Sequence, residues 1–203
     1  MSKFITFEGI DASGKSTQAK ILYKILKKRK KKVIITREPG GTKFSEKIRK
    51  IVVKEKIKPL SELFLFYAAR NEHFNKIKKY LKKKYIVICD RYIHSTYVYQ
   101  QHQQKIERKF IQHLQNKISR YSYPDLTFFI DISSVEAKKR LKLRKKKDKF
   151  DYYSLKQMNF LRKAYNKEYK RGKNIIKLDG NKKKKQITIE ILDILTKKKI
   201  IND

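Results

Sequence analysis

Five short apolar runs recur along the chain, at residues 3–7, 32–36, 85–89, 125–131 and 174–178. Each is rich in β-branched or aromatic side chains, as strands buried on both faces of a parallel sheet require. Between them the apolar positions shift to helical spacing. Residues 15–30 place Ala19, Leu22, Ile25 and Leu26 on one face. A second helix over 60–83, opening just after Pro59, carries Leu63, Phe64, Phe66, Tyr67, Phe74, Ile77 and Leu81 at the same period. Further helices are predicted over 136–144, 154–170 and 186–198. Strand alternating with helix predicts an α/β, three-layer fold around a mostly parallel five-stranded sheet with right-handed crossovers. A length of 203 residues suits one domain spanning 1–203.

Composition changes this picture little. The formal net charge is +36, which raises nucleic acid as a partner. Yet 44 of the 55 basic residues are lysines, spread through nearly every segment. Ile, Tyr, Phe and Asn are frequent too, and all have AT-rich codons, so the lysines read as a solvated surface shaped by genome composition. Nucleic-acid binding is not expected. The 11 arginines are the rarer signal, and their positions carry more weight. Met1-Ser2-Lys3 leads straight into a strand-like run, and no apolar run nears the ~20 residues of a membrane span. Cys89 is the single cysteine, so no internal disulfide framework exists, in keeping with a cytoplasmic protein.

The chemistry begins at Gly9-Ile10-Asp11-Ala12-Ser13-Gly14-Lys15-Ser16, which fits G-x-x-x-x-G-K-[ST] between a strand and a helix. Its glycines let backbone N–H groups converge on phosphate oxygens, at the positive end of the following helix. Lys15 would reach the β/γ phosphates of ATP, and the Ser16 hydroxyl would ligate Mg²⁺. The strand ending in Asp90 supplies a second magnesium-side oxygen, with Arg91 beside it at the sheet edge where open α/β folds bind ligands. REPGGT, residues 37–42, turns tightly at the same edge. FYAAR, residues 66–70, puts Phe66 and Arg70 at i and i+4 on one helix face. That pair suits either a base-binding surface or a core ring beside a snorkelling arginine. DRYIHSTYVYQ, residues 90–100, sets polar groups on a strand-to-helix turn, as sugar or base recognition needs.

Together, FITFEGIDASGKST, REPGGT, LFYAAR, DRYIHSTYVYQ and PDLTFFIDI resemble the thymidylate kinase family in order and spacing, over nearly the whole chain. The resemblance implies a P-loop kinase fold with a short lid, phosphorylation of dTMP to dTDP with ATP and Mg²⁺ toward dTTP synthesis, and a homodimer. It implies that Phe66 stacks on thymine, that Arg70 donates to a base carbonyl, and that Gln100 reads the far edge of the base beside Thr96. Arg37, Arg49 and Arg91 match positions around the acceptor phosphate. Asp11 resembles a carboxylate near the 3′-hydroxyl and the reacting phosphates, and Tyr99 packs against the sugar. A kinase for another nucleotide and a P-loop ATPase acting on nucleic acid are the competing readings.

Two stretches depart from the family pattern. No arginine stands within the P-loop, so the resemblance assigns the extra cation to a lid at about 142–153, with Arg144 as its catalytic residue. The second lid arginine is replaced by Lys149, a point charge without a bidentate fork. The glycine-rich stretch expected after Gln100 reads Gln101-His102-Gln103-Gln104. His94 is expected at the surface or rim, and His73, His102 and His113 as structural residues without metal spacing.

Overall fold

The computed structural model describes residues 2–119, 123–143 and 152–201. Its sheet has the order β2-β3-β1-β4-β5, with every neighbouring pair parallel. The strands are β1 (Lys3–Glu8), β2 (Val33–Arg37), β3 (Ile86–Asp90), β4 (Leu126–Asp131) and β5 (Ile175–Asp179). All five predicted runs are therefore strands, four of them starting one residue later than the sequence suggests.

Alternation sorts the strand side chains onto two faces. Ile5, Phe7, Ile88 and Phe128 pack against α1 (Lys15–Lys28) and α8 (Lys184–Lys197), meeting Leu22, Leu26, Ile187 and Ile191. On the opposite face Phe4, Val87 and Cys89 meet Leu63, Phe74 and Ile77 of α3 (Pro59–Lys82). Phe129 and Ile132 there meet α6 (Ser134–Lys142) and α7 (Leu155–Arg171). Pro59 starts α3 at a position whose missing N–H costs nothing. Ser154 caps α7 through a reciprocal bond pair with Gln157.

Two helices were not foreseen, α2 (Lys43–Lys54) and α5 (Arg108–Ser119); the helix expected after the Asp90 turn is α4 (Ile93–Thr96), which runs into a π-helical stretch at Tyr97–Gln103. α2 is capped by Thr42, whose hydroxyl accepts from the Ser45 N–H. Residues 101–104, where the sequence departs from the glycine-rich family pattern, form the end of the π-helical stretch and its cap. The wide turns of that stretch show in the bond from the Gln104 N–H to the Tyr99 carbonyl, 3.0 Å.

Two side chains depart from their expected places. Phe64 was expected on the packed face of α3 but is 49% exposed, because it lies on the side of the helix away from the Leu63, Phe74 and Ile77 face that meets the sheet. Ile25 is only partly buried at the margin of α1. His94 is partly buried and lines a cavity with Tyr97 and Arg108, in keeping with the expected rim position, and its Nδ1 is buried without a partner among the described residues. Burial drops its pKa to about 4, a shift that Arg108 and Arg70 reinforce and Glu168 opposes. Folded His94 thus stays neutral while an unfolded chain protonates it below its usual value of 6.5. Stability should be lost as pH falls from there toward about 4. A His94→Phe variant should lack that part of the Tm-versus-pH slope, worth on the order of 2 kcal/mol. Identical slopes in the two proteins would contradict it.

Candidate active site

The register brings the chemistry together. Phe7 pairs with Asp90, and Asp90 pairs with Arg37. The loop after β1, the turn after β3 and the REPGGT turn after β2 therefore leave the sheet side by side. This is the carboxyl edge near the point where the strand order reverses, the usual ligand crevice of an open α/β sheet.

In the phosphate loop, Gly9 has φ 146°, and a Cβ there would meet the Ile130 carbonyl oxygen at 2.6 Å. Gly14 has φ 98° and caps α1 without any side-chain hydrogen bond. The first-turn N–H groups of α1 are left facing the crevice, and no acidic residue stands in that turn to compete with an anion. Lys15 is 6% exposed and donates to the Ile10 carbonyl at 3.2 Å. Its ammonium lies 3.6 Å from Asp11. Burial and the nearby Arg91 lower its pKa, against Asp11, Asp90 and Glu8.

Ser16 donates a short hydrogen bond to Asp90 Oδ2, and Asp90 Oδ1 is a buried acceptor with no protein partner among the described residues. Hard oxygen donors of this kind fit Mg²⁺. No cluster of three or more His, Cys, Asp or Glu that could hold a metal occurs among the described residues. A magnesium ion completed by nucleotide phosphates and water suits such a sparse donor set better than a protein cage.

Arg91, at φ 70°, is the hub. Its guanidinium donates to Asp11 Oδ1 at 2.7 Å, to Ser95 at 3.0 Å and to the Tyr165 hydroxyl at 2.8 Å. The Tyr99 hydroxyl donates to Asp11 Oδ2 at 3.0 Å. Burial pushes the Asp11 carboxyl up, yet Arg91 and Lys15 outweigh it and hold Asp11 well below the usual carboxylate range. Asp11 is therefore an anion at every working pH.

Behind this hub lie residues that sequence reasoning missed. Glu8, the last residue of β1, is 1% exposed. It accepts from the Tyr92 and Ser95 backbone N–H groups and from the Ser95 hydroxyl at 2.6 Å. Burial pushes its carboxyl up, against those bonds and Arg91. Glu8 shapes the turn that aims Arg91. Its signal was visible: an acid closing an apolar strand directly before the loop glycine. Tyr165 had no such signal, because it reaches Arg91 from α7 by stacking on Phe129 at 5.5 Å.

A second cavity opens beside the crevice, lined by Phe66, Arg70, Tyr92, Ser95, Thr96, Tyr99 and Gln100. Arg70 is 3% exposed. It donates to Glu38 at 2.7 Å, Gln115 at 3.1 Å and Thr96 at 3.0 Å, and lies over the Tyr92 ring at 4.8 Å. Its five N–H donors exceed those three bonds, so donors remain for a ligand. Glu38 also meets His73, whose other ring nitrogen reaches Thr36 at 2.6 Å. His73 thus anchors the REPGGT turn to α3. The two cavities share Asp11, Glu38, Arg49 and Arg91, so they are two ends of one site.

A base-sized cavity joined to a phosphate cradle through two arginines is the plan of a nucleotide kinase, and the family comparison is decisive. The family model for thymidylate kinase matches residues 7–191. The chain belongs to the thymidylate kinase family. It is 45% identical to a thymidylate kinase of Rickettsia canadensis over 164 residues, covering 80% of this chain and 79% of that one. It is 40% identical to a thymidylate kinase of Wolbachia pipientis over 203 residues, 97% of each chain. The crystal structure of thymidylate kinase from Ehrlichia chaffeensis superposes with a TM-score of 0.77 at 34% identity, covering 96% of this chain and 98% of that one.

Against the thymidylate kinase pattern, the structure gathers most of the expected residues. Gly14, Lys15, Ser16, Asp90 and Arg37 line the phosphate crevice. Phe66, Arg70, Thr96, Tyr99 and Gln100 line the joined cavity, with Asp11, Arg49 and Arg91 between. Arg37 is turned away from the base end and paired with Glu46 at 2.8 Å. Arg49 donates to the Pro39 carbonyl at 3.0 Å. Arg144, with most of the expected lid, lies outside the described residues. Arg140, four residues earlier in the sequence, reaches the crevice from α6 while paired with Glu136 at 2.9 Å.

Proposed function

We propose that this chain, acting over residues 1–203 as one unit, transfers the γ-phosphoryl group of ATP to dTMP, giving dTDP and ADP. The observation that carries it is the continuity of the two cavities through Asp11, Arg49 and Arg91. An acceptor whose base rests between Phe66 and Arg70 would hold its phosphate at those arginines, opposite the ATP phosphates on Lys15. Phosphoryl transfer needs little besides such alignment and cations around the transferring group.

In this reading Phe66 supports the thymine ring, and Arg70 donates to a base carbonyl. Gln100 and Thr96 face the ring edge. Tyr99, 8% exposed and fixed by Asp11, fills the space beside the sugar. Arg37 and Arg49 stand toward the acceptor phosphate. Ser16 and Asp90 would hold the magnesium ion of ATP, which would supply charge neutralisation at the phosphates. Arg144 supplies the further lid cation.

Incubation with ATP, Mg²⁺ and dTMP, followed by chromatographic separation, should yield dTDP and ADP in equal amounts. ADP formed without dTDP would overturn the proposal.

A further inference from the structure

We infer that Glu62 is the specificity-positioning residue of the base pocket: it fixes which end of the Gln100 amide meets the base. The inference rests on the thymine reading of that pocket. Glu62, Phe66 and Arg70 stand at i, i+4 and i+8 of α3, so they form one stripe along the helix. Phe66 and Arg70 line the cavity, and Glu62 lies one turn beyond it, 3% exposed. Its Oε1 accepts from Gln100 Nε2 at 3.1 Å and from Gln104 Nε2 at 2.7 Å. Both amides come from the π-helical stretch and its end, where the chain departs from the glycine-rich family pattern.

A carboxylate can only accept, so it selects the NH₂ end of each amide. Gln104 obeys although its own Oε1 is then buried without a partner among the described residues. For Gln100 the consequence is chemical. With Nε2 held by Glu62, Oε1 is the atom left for a ligand, and no described residue donates to it. The pocket then offers a donor, Arg70, beside an acceptor, Gln100 Oε1.

Thymine presents the complement: a carbonyl at C4 next to the N3–H donor. Cytosine presents the inverse at the same two places, an amino group next to a bare N3. It would set donor against donor and lone pair against lone pair. A polar site left unpaired in this way rejects a ligand far more strongly than a shape mismatch does. Uracil carries the same pattern as thymine, so this device does not separate those two.

The test compares KM for dTMP with the competitive inhibition constant of dCMP in three proteins. Glu62→Gln keeps size and shape but allows either orientation of the Gln100 amide. Selectivity for dTMP over dCMP should fall about tenfold, with kcat changed by less than about threefold and KM for ATP unmoved. Glu62→Asp keeps an acceptor-only group and should hold selectivity within about threefold of the unaltered protein. In a Gln100→Leu background, adding Glu62→Gln should leave selectivity unchanged, because the amide it orients is gone. Equal weakening of dTMP and dCMP by Glu62→Gln would mark a purely structural residue and overturn the inference alone. An unaltered chain that does not favour dTMP would overturn the thymine reading itself.

Discussion

Replacing Arg91 with alanine should lower kcat by about a thousandfold, a loss typical of removing a preorganised donor from a developing negative charge. Arg91 is held where the two cavities join, by Asp11, Ser95 and Tyr165 together. Burial opposes its charge, but Asp11 and the neighbouring hydroxyls keep its pKa raised well above the ordinary arginine value. The cation is therefore permanent and already aimed, so no reorganisation is needed during transfer. Arg91→Lys should recover only a small part of the activity, since a point charge cannot hold Asp11 and a phosphate in one fork. Steady-state ADP release at saturating dTMP and ATP measures both variants. A loss below about tenfold for Arg91→Ala would remove Arg91 from the phosphate-transfer machinery.

Arg70→Leu should act on binding and on stability at once. Glu38 would be left buried with only His73 against it, and breaking one side of a buried ion pair costs about 3–5 kcal/mol. For a chain of this size that corresponds to a Tm lowered by roughly 10 °C. Glu38 itself points to the same balance. Burial pushes its carboxyl up, but Arg70 and His73 bring it below the usual value of 4.5. A carboxylate lowered on folding contributes stability above 4.5 that is lost as pH falls through its folded value. At neutral pH the Arg70→Leu protein forfeits that contribution. Its KM for dTMP should rise at least about thirtyfold, with KM for ATP within about twofold, because Lys15 and the loop are untouched. Calorimetry and steady-state kinetics separate the two effects. An unchanged KM for dTMP in a folded variant would remove Arg70 from the base pocket.

The parts of the fold and site that were legible in the sequence share a physical reason. The five strands are buried on both faces, so their apolar runs are unbroken, and the phosphate loop needs glycines at fixed spacing. The unforeseen helices bury polar groups instead. α2 turns Ser45 inward to bond the Ala69 carbonyl, and α5 buries Gln115 and Ser119 with Ile111. A periodicity search that counts apolar residues loses such helices. The lysines that cover most exposed faces blur the contrast further. The residues proposed to contact ligand could be placed by motif. Their supports, Glu8, Glu38, Glu62 and Tyr165, come from four elements and are joined only by the folded register. Cumulative charge does not point to the site, since Arg70 and Arg91 are single, largely buried arginines whose partners fix their direction.

The central claim is that the cavity formed by Phe66, Arg70, Thr96 and Gln100 reads thymine. The most direct measurement is kcat/KM for ADP release from ATP and Mg²⁺ with dTMP, dUMP, dCMP, dGMP and AMP offered in turn. The account predicts dTMP as the preferred acceptor, with dCMP, dGMP and AMP lower by at least about a hundredfold. Comparable turnover of AMP or dGMP, or no turnover of dTMP, would contradict it.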